Sequence, residues 1–177
     1  MPLDWDKLAP PALPPNLVAR RRLTQRIHAP LTLIYAPSGF GKTTLLNEWR
    51  QGCAMPVAWV TLTEAENQPV RFWMLLVLAL QRALAGAMDL SAYWQVTGED
   101  ELGGLLAQLN SQMNSQLNSQ LNSQLASRGG PAAGRLAIVL DDYHLIRSPA
   151  INALLQGWLD HWPPALQLIL AGHIRPP

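Results

Sequence analysis

Ala36-Pro-Ser-Gly-Phe-Gly-Lys-Thr43 fits the pattern G-x-x-x-x-G-K-[ST], with Ala in place of the first Gly. The pattern answers a physical need. Backbone N–H groups of a glycine-containing loop at a helix N-terminus wrap phosphate oxygens, and the helix dipole there also favours negative charge. Lys42 would reach the β- and γ-phosphates, and the Thr43 hydroxyl would ligate magnesium. Gly39 and Gly41 supply backbone conformations and a close approach that a side chain would obstruct. By average composition the pattern arises by chance in roughly one chain in a hundred of this length. Its flanks carry the rest of the argument.

Upstream, Leu31-Thr-Leu-Ile-Tyr-Ala36 is a short apolar, partly β-branched run, read as a buried strand. Downstream, a helix is expected from about Gly41 to Arg50. Val57–Leu62, Leu136–Leu140 and Leu166–Ala171 read as three further strands. Helices are expected at 69–85, where Pro69 suits a first turn, and at about 149–161. Strands alternating with helices predict an α/β fold, a three-layer P-loop NTPase sandwich around a parallel sheet of about four strands. Residues 1–15 are proline-rich and read as an extended lead-in to a domain spanning 16–177. A helix from about Asn16 to His28, carrying Arg20, Arg21 and Arg22, is expected to follow.

Leu136-Ala-Ile-Val-Leu-Asp-Asp142 gives the second chemical element. An apolar strand ending in an acid has the form of a Walker B strand, whose first carboxylate holds magnesium. Asp141 is the expected metal ligand with Thr43, and Asp142 the candidate for orienting or deprotonating an attacking water. The expected nucleotide contacts run from Ala36 through Pro37, Ser38, Gly39, Phe40, Gly41, Lys42 and Thr43 to Thr44. Trp59, Trp73 and Trp158 read as core, and His144 as polar packing.

Leu105, Leu109, Met113, Leu117, Leu121 and Leu125 recur every fourth residue, with Asn-Ser-Gln-Leu repeated between them. A strict four-residue period drifts about 40° per repeat around a helix. Residues 105–127 are therefore expected to be a low-complexity insert in a tolerant connection, a partner-binding amphipathic helix being the alternative.

Composition narrows the classes further. Of 177 residues about half are apolar (49%) and 14% charged, with a net charge of +1. That suits one well-buried domain and leaves no large basic surface to advertise nucleic-acid binding. The only lysines are Lys7 and Lys42. The single Cys53 excludes an internal disulfide and a cysteine-based zinc site. The N-terminus does not have the form of a signal peptide, and the longest apolar run, Phe72 to Leu80, falls well short of a bilayer span. A cytoplasmic protein without a membrane segment is expected.

Five stretches together resemble the nucleotide-binding domain of MalT-type regulators, the ATP-dependent LuxR-family activators among the STAND P-loop ATPases. They are Leu17-Val-Ala-Arg-Arg-Arg-Leu23, Tyr35 through Leu46, Ala58-Trp-Val-Thr-Leu62, Asn67 through Leu80, and Val139-Leu-Asp-Asp-Tyr-His-Leu-Ile146. The resemblance implies an ATP (or ADP) and Mg²⁺ switch module, at most a slow ATPase, that self-associates when loaded. It places Arg20 in an early arginine motif that approaches the nucleotide, although a solvated cationic face suits Arg20 equally. It also places His173 where the family has a γ-phosphate-sensing arginine. Nucleotide binding with weak hydrolysis is therefore expected, unless Arg175 substitutes. The implied sheet order is 5-1-4-3-2. The sequence stops after the fourth strand, so a truncated product or N-terminal fragment is expected, without lid, inducer-binding repeats or DNA-reading helix. An exposed sheet edge would then invite self-association or pairing with another chain. Two other classes stay open. A small kinase-like P-loop enzyme would call for a lid arginine pair and an acceptor pocket, neither of which is visible. A nucleotide-free interaction remnant would be indifferent to Lys42→Ala.

Overall fold

The computed structural model describes residues 4–84, 88–96, 98–116, 135–163 and 166–173. Four parallel strands, β1 (Leu31–Tyr35), β2 (Val57–Thr61), β3 (Leu136–Asp141) and β4 (Leu166–Gly172), form one sheet in the order β1-β4-β3-β2. This is the order the resemblance implied for these four. The fold is an α/β P-loop NTPase sandwich, as the alternation of strands and helices predicted. β3 and β4 are buried along their whole length, which is why they read as unbroken apolar runs.

Side chains alternate between the two faces of each strand. Leu136, Ile138 and Leu140 of β3, with Leu166, Leu168 and Leu170 of β4, enter the larger core. Helix α3 (Pro69–Leu84), helix α4 (Leu102–Gln116) and helix α5 (Pro149–Asp160) pack against that face. Ala137, Val139, Ile169 and Ala171 face the other way, onto Leu46 and Trp49 of helix α2 (Lys42–Gly52). Trp59, Trp73 and Trp158 are all buried in these cores. Asp141, next in the odd series of β3, is turned by the same alternation toward the α2 layer.

Two expected elements differ in extent. The helix expected over 16–28 is only α1 (Arg21–Thr24), continued by turns in which Arg26 and Ile27 N–H groups donate three residues back, to Leu23 and Thr24. No buried residue lies on α1 and Val18 is 79% exposed, so packing supplies nothing to prolong it. In the repeat region, residues 102–116 are helical. Leu102, Leu106, Leu109 and Met113, at helical spacing, are buried in the larger core. Residues 117–127 of the repeat, and Arg175, lie outside the described residues.

The edge of the sheet at β1 is apolar on one side. Leu31, Leu33 and Tyr35 are 40%, 39% and 57% exposed, whereas Ile34 packs into the α2 core.

Candidate functional site

The site forms where β1 runs into α2. Gly39 (φ 82°) and Gly41 (φ 73°) both adopt the left-handed conformation, which glycine enters without steric cost. Gly41 is the N-cap of α2, so Lys42 and Thr43 stand in its first turn, where N–H groups have no intrahelical partner. The Ala36 N–H donates to the Gly172 carbonyl at 3.2 Å, tying the start of the loop to the end of β4.

Lys42 Nζ donates to the carbonyls of Ala36 (2.8 Å) and Pro37 (3.1 Å), so the ammonium is folded over its own loop. Thr43 Oγ1 donates to Asp141 Oδ2 at 2.6 Å, across a sequence gap of 98 residues. The acid at the end of β3 and the loop threonine thus share one point in space, and their oxygens are the hard ligand type a magnesium ion takes. Burial raises the Asp141 carboxyl above its usual range; the Thr43 bond opposes this and the neighbouring Asp142 adds to it. Asp142 is less buried and adopts φ 57°, the one non-glycine residue with positive φ among those described. Such strain collects at functional positions. Its N–H donates to Asp141 Oδ1 at 3.1 Å, which holds the paired acids in register.

Arg20 reaches the same loop from the N-terminal side. Its Nη1 donates to the Phe40 carbonyl at 2.9 Å, and its backbone N–H donates to both oxygens of Glu48 on α2. A Cβ on Gly41 would lie 3.2 Å from the Arg20 guanidinium, so the glycine also makes room for the arginine. Beside the loop runs an open groove of about 490 Å³, whose walls include Leu23, Ile27, Tyr35, Phe40 and Lys42. A larger groove, about 850 Å³ between α4 and α5, shares no residue with it.

Pro37, Ser38, Gly39 and Phe40 are exposed on the loop, and Thr44 is half-buried behind Thr43. His173 follows β4 directly and its ring lies 3.6 Å, centroid to centroid, from that of His144. The sequence placed His173 at the site and read His144 as polar packing, but did not show that the two rings meet. Nor did it find Asn67, which pins the segment after Asp142. Asn67 Nδ2 donates to the Leu145 carbonyl, and Asn67 Oδ1 accepts from the N–H groups of Arg147 and Ser148.

A glycine cradle at a helix N-terminus, on the carboxyl edge of a parallel sheet, with a strand-end acid bonded to the loop threonine, defines a P-loop NTPase domain. The chain belongs to the AAA ATPase domain family, whose model matches residues 16–169. It is similar to the HTH-type transcriptional regulator MalT of Yersinia enterocolitica, 35% identical over 176 residues. It is also similar to MalT of Serratia proteamaculans (34% over 176 residues) and of Cronobacter sakazakii (33% over 175). These alignments cover 96–97% of this chain but 18% of each relative, so the chain spans about a fifth of their length. Among solved structures, C. elegans PCH-2 matches 87% of this chain and 34% of its own, at 14% identity and a TM-score of 0.36. A likeness that low adds nothing to what the sheet itself shows. No helix among the described residues is long and apolar enough to cross a membrane.

Proposed function

We propose that residues 16–177 form an ATP- and Mg²⁺-binding switch module of the kind found in MalT-type regulators, working in the cytoplasm and hydrolysing ATP slowly if at all. The observation that carries this is the convergence of Lys42, Thr43 and Asp141 around a loop whose two glycines are left-handed. These residues fit the group. Loop and α2 N–H groups would take the phosphates, Lys42 would exchange its loop carbonyls for phosphate oxygens, and Thr43 and Asp141 would hold the metal. The groove beside Arg20 and Phe40 is of a size for a nucleoside. Magnesium, when bound, supplies charge neutralisation for the phosphates.

Asp142 would orient water, and Arg20, which bonds the Phe40 carbonyl, would reach the nucleotide. His173 stands where an arginine sensor would stabilise charge developing in a transition state, and a weaker cation there suits a switch better than a fast enzyme. Loaded chains would associate through the β1 edge or with another chain. DNA recognition would belong to other segments of a longer protein of the MalT kind.

The test is calorimetric titration with ATP and with ADP in magnesium, for the wild type, Lys42→Ala and Asp141→Ala. The expected result is binding that Lys42→Ala abolishes and that Asp141→Ala makes indifferent to magnesium. No binding by a folded wild-type sample would sink the proposal.

A further inference from the structure

Two imidazoles meet at the carboxyl edge of the sheet. His144 lies in the 3-10 turn Tyr143–Leu145 that follows β3, and His173 is the first residue beyond β4. Because β3 and β4 are adjacent and parallel, their ends emerge side by side. The rings lie 3.6 Å apart at their centroids, tilted by 54°. The His144 side chain is only 9% exposed, yet its Nδ1 has no hydrogen-bond partner. A buried polar atom left unpaired costs about 1–3 kcal/mol, so its retention asks for a reason.

The charges around His144 come from every neighbouring element. Asp142 Oδ1 stands 3.8 Å from Nδ1, within its own turn, and Arg147 follows in the same loop. Lys42 acts from α2, and His173 from the end of β4. Tyr35, Tyr143, Ala171 and Gly172 line the small cleft beside it. Burial holds the His144 imidazole below its ordinary range; His173, Lys42 and Arg147 add to this, and Asp142 opposes it. Burial disfavours charge on such a stack, but an added anion can bring in one proton, because a cation over an aromatic face is attracted to it, whereas two protons repel.

We propose that the His144–His173 stack reads the third phosphate: His173 contacts it, His144 is the positioning residue that holds His173, and the pair takes up one proton from solvent when a triphosphate binds in place of a diphosphate. This rests on the nucleotide reading above. A fixed arginine would carry its charge in both states. A histidine pair gains charge only when the added phosphate supplies the opposing one, so the preference for ATP over ADP depends on pH.

The experiment uses the whole chain and titrates MgATP and MgADP, at about pH 6 and about pH 8, in buffers of differing ionisation enthalpy. The readouts are the ratio of the two affinities and the protons taken up. Saturating magnesium keeps the γ-phosphate itself ionised across the range. The ratio favouring ATP should fall about tenfold from the lower to the higher pH. Uptake averaged between the two pH values should be about half a proton with MgATP and none with MgADP, and imidazole C–H resonances should shift only with MgATP. His173→Arg should make the ratio independent of pH, and His144→Ala should bring it close to one. Should His144→Ala not fold, His173→Arg and the resonances still decide. Binding of both nucleotides with a flat ratio and no proton uptake overturns the assignment alone. Binding of neither overturns it together with the nucleotide reading.

Discussion

Glu66→Gln tests whether a buried charge cluster holds the N-terminal segment to the sheet. The Glu66 side chain is fully buried (0% exposed). Its oxygens accept from Lys7 Nζ at 2.9 Å, Arg71 Nε at 2.8 Å, and the Thr63 N–H and hydroxyl at 2.8 and 2.7 Å. Burial alone would raise the Glu66 carboxyl, but these donors outweigh it and bring it from 4.5 down to about 2. That drop is equivalent to about 3 kcal/mol of stability at neutral pH. A folded-state value below the unfolded one contributes fully above the unfolded value and is lost as pH falls toward the folded one. The contribution should therefore disappear between about pH 4.5 and about pH 2.

Glutamine keeps the shape, cancels the charge and takes the carboxylate away from Lys7 and Arg71; removing one partner of such a cluster costs about 3–5 kcal/mol. For a domain of this size 3 kcal/mol lowers the melting temperature by about 6–12 °C. Urea unfolding of both proteins at neutral pH and at intervals down to pH 2 measures it. A gap under about 0.5 kcal/mol at neutral pH, or a gap that stays constant into acid, would refute the reasoning. Asn67 adjoins Glu66 and holds the 145–148 segment, so the variant should also disturb the surroundings of His144.

Asp141→Asn should stabilise the fold by about 1 kcal/mol, because burial makes the native carboxylate costly above its raised titration point, while nucleotide affinity becomes the same with and without magnesium. Thermal melts and titrations with a chelator check both halves. Leu109→Ala should cost about 2–5 kcal/mol by denaturant unfolding, since Leu109 is fully buried; a cost near zero would make α4 a dispensable insert. Arg20→Ala should leave stability within about 0.5 kcal/mol, because Phe40 and its carbonyl are exposed to water, yet lower ATP affinity about tenfold or more. Unchanged affinity would make the arginine a solvated face.

What was legible in the sequence follows from how local the cause is. β3 and β4 are buried on both faces, so their residues spell out apolar runs that need no tertiary knowledge. The loop is legible because two left-handed glycines and a lysine within eight residues have few other uses. The N-terminal helix was overextended because three arginines suit a helix by propensity, whereas only packing sets its length. α4 was obscured by reading the four-residue period over its full span. A helix of 15 residues is too short for the drift to carry the stripe off the core, and Leu102 and Leu106 extend it backward at helical spacing. His144 was the least legible. Its meaning depends on His173, 29 residues away, and only the adjacency of β3 and β4 joins them.

The same adjacency explains why the chemistry collects at one edge. Parallel strands end together, so β1 delivers the loop, β3 the paired acids and β4 a histidine to a common rim without any of them being near in sequence. At that rim the loop lysine, the loop threonine and Arg20 already have partners within the chain. Lys42 is bonded to loop carbonyls, Thr43 to Asp141 and Arg20 to Phe40. A nucleotide must therefore exchange these bonds and does not simply add to them. The exchange is favourable where a neutral carbonyl is replaced by a charged phosphate oxygen, since charge-assisted bonds are about twice as strong. Affinity at such a site is governed by the charge brought in and not by the number of bonds made. One phosphate more or less would then be a large signal, and the proposed role of the two stacked imidazoles is to read it according to their protonation.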